Sequence, residues 1–77
     1  MKHNLNLGSG GDYRISTKDE NWVNVEKNEN LKADIHTDLE DAQLAVHANT
    51  IDYVLMKHVL EHITNIIPLM DEIWRVM

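Results

Sequence analysis

Cysteine is absent from this 77-residue chain, and glycine and proline are scarce, at three and one. Without cysteine there is no disulfide and no thiolate-bound metal to reinforce a small core, and no sign of an oxidising compartment. No apolar run approaches the ~20 residues a membrane helix needs. The first residues carry one early lysine, Lys2, and no apolar h-region. That predicts no secretory leader and a cytoplasmic protein. Basic residues are few: Lys and Arg total 7 against 13 Asp and Glu, for a net charge of −6. They do not cluster, which excludes nucleic acid held by charge alone but not one bound through another region. A chain this short makes one small domain that buries roughly 60% of its unfolded surface.

What is present is a strand running into glycine, Leu5-Asn6-Leu7-Gly8-Ser9-Gly10-Gly11. A turn without Cβ atoms lets backbone approach a ligand closely. Trp22-Val23-Asn24-Val25 alternates apolar and polar, predicts a second strand, and ends on the acid Glu26. Strand, glycine turn, strand, acid is the order of a nucleoside-binding α/β half-fold, with backbone N–H groups for an anion and a carboxylate for ribose hydroxyls. The third glycine of the dinucleotide fingerprint is missing, Tyr13 standing there. An ordinary tight turn is the alternative reading.

The remaining pattern predicts a short third strand over 33–36, a helix over 39–48, a fourth strand over 51–56 and a helical start over 58–63. A final helix carries Ile66, Leu69, Met70, Ile73 and Val76 as one apolar stripe, with Thr64 or Asn65 as its cap and Pro68 in its first turn. Such alternation predicts a parallel sheet flanked by helices. In the run Asp34-Ile35-His36-Thr37-Asp38-Leu39, an acid after the third strand could meet an adenine amino group or simply be a solvated loop acid. His58-Val59-Leu60-Glu61-His62 has the His-x-x-Glu-His spacing of an inverted zinc-protease motif, but no third ligand is marked. Glu61 and Arg75 are expected to form an ion pair between neighbouring helical segments.

Taken together, these runs resemble the class I S-adenosylmethionine-dependent methyltransferases, in particular the type 11 methyltransferase domain group. Members carry an LNLGCG-like first motif, a wvNvD-like second strand, an fDyV…hvLEHi stretch and an EiwRVLKPGG-like helix end. Here these stand as Leu5 to Gly10, Trp22 to Glu26, Ile51 to Val54 with His58 to Ile63, and Glu72 to Met77. The resemblance implies an α/β, truncated Rossmann-like parallel sheet, the first four strands of a doubly wound methyltransferase fold, over residues 1–77. It implies S-adenosylmethionine as cofactor. Gly8, Ser9 and Gly10 would approach its methionine part, Glu26 its ribose, and Asp38 with Leu39 its adenine. Lys57 and His58 would line the methyl-transfer pocket, with His58 as the catalytic base if one is needed, its ordinary pKa of ~6.5 suiting proton removal near neutrality. No residue is implied as a metal ligand, and the methyl acceptor is unidentified.

The chain also departs from the family pattern. Glu26 replaces the usual Asp, and only eleven residues separate Gly10 from Trp22, so the first helix is expected to be very short or a loop. The LKPGG turn and the last three strands are absent. Three further readings follow: a non-catalytic α/β module docking a partner through Ile66, Leu69, Met70 and Ile73; a zinc metalloprotease fragment; and a dinucleotide-binding half, in which Leu60-Glu61-His62 has no role. The fourth strand is expected to be an uncovered sheet edge, open to self-association or to a complementing chain.

Overall fold

Alternating Leu5 and Leu7 against Asn4 and Asn6 gives the first strand one apolar and one polar face. In a computed structural model describing residues 1–57 and 59–77, that strand is β1 (Lys2–Leu7), followed by β2 (Glu20–Glu26), β3 (Ile35–His36), β4 (Tyr53–Met56) and one helix, α1 (Ile66–Val76). All pairings are parallel and the strand order is β3-β2-β1-β4. The expected Rossmann-like parallel α/β sheet is therefore present, with β4 at an edge of these four strands. β1 and β2 begin before Leu5 and Trp22 because their polar first residues still pair, Lys2 with Glu20 and His3 with Asn21.

The core lies on one face of the sheet. Leu5, Leu7 and Val25 meet Leu69, Ile73 and Val76 of α1, and Leu39, Leu44, Ile51 and Val59 close the cluster. Asn65 caps α1, its side chain accepting the Ile67 N–H. Three of the five stripe residues are buried, whereas Ile66 and Met70 are exposed.

The opposite face is polar and, among the described residues, carries no helix. Gly8 to Asp19, the crossover from β1 to β2, is an irregular loop, as its length implied. A hydrogen-bonded network holds it down. Asn24, fully buried, accepts from Asn6 Nδ2 (3.0 Å) and from the Arg14 N–H (2.8 Å) through Oδ1. Its Nδ2 donates to the Arg14 carbonyl (2.9 Å) and to Asp34 Oδ2 (3.0 Å), and its backbone N–H donates to the same carboxylate oxygen (2.7 Å). Tyr13 OH donates to Asp34 Oδ1. Asp34 thus precedes β3 and ties strands and loop together.

Two expectations are corrected. The helix over 39–48 shrinks to a 3-10 turn, Leu39–Asp41, ended by Ala42 in a left-handed conformation (φ 50°). Beyond it, α1 claims the backbone: the Leu44 N–H donates to Glu72 Oε2, and Arg75 donates to the carbonyls of Leu44 and Val46. Asn49, Thr50 and Ile51 in turn donate to the last carbonyls of α1, those of Arg75 and Val76. Those bonds supply the helix end with the donors it lacks, and leave none of these groups for a helix over 42–48. Likewise the partner of Arg75 is Glu72, one turn back (Nε–Oε1 2.6 Å), not Glu61; Glu61 lies 3.6 Å from His62. The helical start expected over 58–63 is, within the described residues 59–63, a 3-10 turn over Leu60–His62.

Arg75 beside it holds the Glu72 carboxyl below its ordinary value, against an upward push from burial, with the Leu44 N–H helping. For Asp34, burial pushes up, but the Asn24 and Tyr13 hydrogen bonds and nearby Lys32 prevail and the net is downward. A carboxyl with a folded pKa below its unfolded value stabilises the fold above that unfolded value and loses this as pH falls through the folded one. Chemical denaturation is therefore expected to show stability falling below about pH 5. Arg75→Met should lower the thermal midpoint at neutral pH and flatten that acid limb. Leu69→Ala should cost about 2–5 kcal/mol, enough to unfold much of so small a domain.

Candidate functional site

The carboxyl ends of β1, β2 and β3 converge on one cleft of about 210 Å³. In open parallel α/β sheets ligands sit at such ends. Gly8, Glu26, Asp38, Leu39, Val59 and His62 contribute to its wall. Four of the proposed cofactor residues, Gly8, Glu26, Asp38 and Leu39, are thus brought together. Ser9, Gly10 and Lys57 are not part of the described wall. His58 lies outside the described residues.

The glycine turn is anchored to β2, with the Gly8 and Ser9 N–H groups both donating to the Val25 carbonyl, at 2.8 and 3.0 Å. Gly8 (φ +65°) is required by packing, since a Cβ there would stand 2.5 Å from Val59 Cγ2. Gly10 (φ +53°) differs: a Cβ there would meet nothing nearer than the Gly8 carbonyl at 4.0 Å, so the backbone is open to an approaching group. Ser9 is buried, and its Oγ has no hydrogen-bond partner among the described residues.

Glu26 links the turn to the cleft. Its Oε1 accepts the Gly10 N–H (2.8 Å) and its Oε2 accepts the Asn28 N–H (3.0 Å). Burial pushes this carboxyl up, but the N–H groups of Asn28, Gly10 and Lys27, with the Lys27 charge, outweigh it and hold it below its ordinary value. A carboxylate has about four acceptor sites, so at least one remains for a ligand. Asp38 caps the Leu39–Asp41 turn by accepting the Glu40 N–H (2.9 Å), which fixes Leu39 against the core with its edge on the cleft.

Lys57 turns to the loop, its Nζ 3.4 Å from Asp12 Oδ2, a carboxylate also met by Arg14 at 3.3 Å. Lys57 most strongly, with Arg14 helping, holds the Asp12 carboxyl below its ordinary value against an upward push from burial. Among the described residues, no three His, Cys, Asp or Glu side chains are grouped to hold a metal ion. No helix there is long and apolar enough to cross a membrane. Val59 and Lys27 were missed as wall residues. Lys27 had only its place after Glu26 to mark it, and Val59 is revealed by its seat against Gly8.

Compared with known proteins, residues 7–77 match the family model described as "Methyltransferase domain". No curated protein and no solved structure matches.

The glycines separate fold from site. Gly8→Ala should destabilise by about 1–2 kcal/mol from its positive φ alone, and more from the Val59 clash. Gly11→Ala, with open space around it, should be neutral or stabilising by up to about 1 kcal/mol. Thermal melts of the two variants check this.

Proposed function

Since the chain belongs to the methyltransferase-domain family of class I S-adenosylmethionine-dependent enzymes, we propose that its cleft binds the nucleoside end of S-adenosylmethionine and that it serves methyl transfer. Glu26 carries the reading. It is a carboxylate held below its ordinary pKa at the end of β2, tied to the glycine turn and lining the cleft with acceptor capacity to spare. The residues fit the group: Gly10 offers an open backbone, and Ser9 an unpartnered hydroxyl. In this reading Glu26 accepts from the ribose hydroxyls, and Asp38 and Leu39 flank the adenine. A cleft of about 210 Å³ is below the ~300–1,000 Å³ of whole-ligand sites, which suits one end of the ligand, the rest crossing the strand ends above Gly10.

Bound there, the cofactor supplies a methyl group on a sulfonium, open to in-line displacement. The protein's part is positioning, worth several kcal/mol in such reactions. His58 is the residue we assign to removing a proton from an acceptor that needs it. Lys57, freed from Asp12, is the cation for the far end of the ligand. The acceptor is a nucleophile outside this chain. The unpaired edge of β4 is where we place a second copy or a complementing chain, through strand addition.

Calorimetric titration with S-adenosylhomocysteine should show saturable binding, weakened roughly tenfold or more in Glu26→Gln. Because the Glu26 carboxyl lies below its ordinary value, affinity should hold as pH falls to about 5 and decline only lower. No binding heat from a folded sample would leave the non-catalytic docking module as the better reading. Sedimentation should show concentration-dependent association, suppressed by proline at Leu55 on the edge strand; a monomer at all concentrations contradicts the edge assignment.

A further inference from the structure

A second cleft, of about 320 Å³, lies elsewhere. It opens on the polar face of the sheet, near the amino-terminal ends of the strands, and is lined by Lys2, Asn4, Glu20, Trp22, Asp52 and Tyr53. Asn4 on β1 pairs in register with Trp22 on one side and Tyr53 on the other. Strands two apart lie about 9.5 Å from each other. The two ring centroids are nonetheless only 6.2 Å apart, edge to face at 88°. The rings therefore lean together above Asn4, which is 2% exposed.

Beneath that pair, Asn4 Nδ2 donates to Glu20 Oε2 (3.3 Å), which fixes the amide's orientation, and Oδ1 is left with no donor among the described residues. A buried acceptor without a donor is destabilising. The next asparagines on this face, Asn6 and Asn24, have no such orphan, being joined to each other and to the loop. Whatever satisfies Asn4 must bring an N–H or O–H group. Two carboxylates, Glu20 and Asp52, stand at the same cleft against one cation, Lys2. The walls are aromatic faces, which attract cations, and the Trp22 ring already holds the guanidinium of Arg14 at 5.3 Å.

We propose that this cleft binds a guanidinium group, which parts the Trp22–Tyr53 pair, donates to Asn4 Oδ1 and is flanked by the Glu20 and Asp52 carboxylates. A planar cation with five N–H donors can serve an amide oxygen and a carboxylate at once while lying along a ring, which the compact, strongly hydrated ammonium does less well. The site is separate from the cofactor cleft and does not depend on it.

Trp22 itself reports the event. There are two tryptophans, and Trp74 is 83% exposed, so Trp74→Phe leaves Trp22 as the sole tryptophan, read by excitation selective for indole. In that background the full chain is titrated with ethylguanidine, with the tripeptide Gly-Arg-Gly and with its neutral citrulline counterpart. A saturable change in Trp22 emission is expected with both cations, and binding at least about tenfold weaker for the citrulline peptide. Tighter binding of Gly-Arg-Gly supports a peptide arginine as the ligand, and equal binding supports a free guanidino compound. Asn4→Leu should weaken binding about tenfold or more while melting no lower than the parent, because it removes the buried orphan. Glu20→Gln, which keeps shape and loses charge, gives a second variant with the same expected loss. No saturable change, an equal response to citrulline, or undiminished binding in both variants would overturn the proposal.

Discussion

The amide of Asn24 is the interaction on which this fold's arrangement rests. A parallel sheet ordinarily has helices on both faces; among the described residues only one face has one. On the other, a single fully buried asparagine joins β1 through Asn6, the crossover loop through both backbone groups of Arg14, and the segment before β3 through Asp34. Each of these groups would be costly to bury unpaired. The network thus replaces apolar burial with directional bonds, and so sets where the loop after the glycine turn must run.

That constraint reaches the site by short paths. The residue after Asn24, Val25, receives the Gly8 and Ser9 N–H groups, and the next, Glu26, receives that of Gly10. Three consecutive residues of β2 therefore hold the loop, the turn and the cleft wall in register. The extra methylene of Glu26 over the usual aspartate gives the carboxylate a longer reach to the Gly10 N–H. Opposite, Val59 fills the space that a side chain on Gly8 would need. The glycine turn is thereby shaped partly by packing and partly by openness, Gly8 serving the first and Gly10 the second.

Much of this was legible in the chain. The alternation of Leu5 and Leu7 with asparagines, the β-branched and aromatic run before Met56 and the stripe on α1 each have a period that sterics convert directly into an element. The Gly8 and Glu26 positions followed from motif order and Asp38-Leu39 from the family resemblance, and the structure gathers them at one cleft. What was not legible depended on partners distant in sequence. Residues 42–48 have acceptable helix propensity, yet Glu72 and Arg75, about thirty positions on, take their backbone groups. Arg75 looked like a partner for Glu61 because both are charges on apolar stretches; the i, i+3 geometry of Glu72 prevails. The role of Asp34 as a brace of Asn24, and the orphaned amide of Asn4 under two aromatic rings, needed strand register before they could be seen.

Amide hydrogen exchange on Asn24→Leu, measured with and without S-adenosylhomocysteine, tests the account's central claim most directly. If Asn24 holds loop, turn and cleft together, protection at Gly8, Ser9, Gly10 and Arg14 falls in concert, β1 and β4 stay protected, and the ligand no longer protects the turn. A loosened Arg14 loop beside a turn that keeps its protection and its response to the ligand would contradict it.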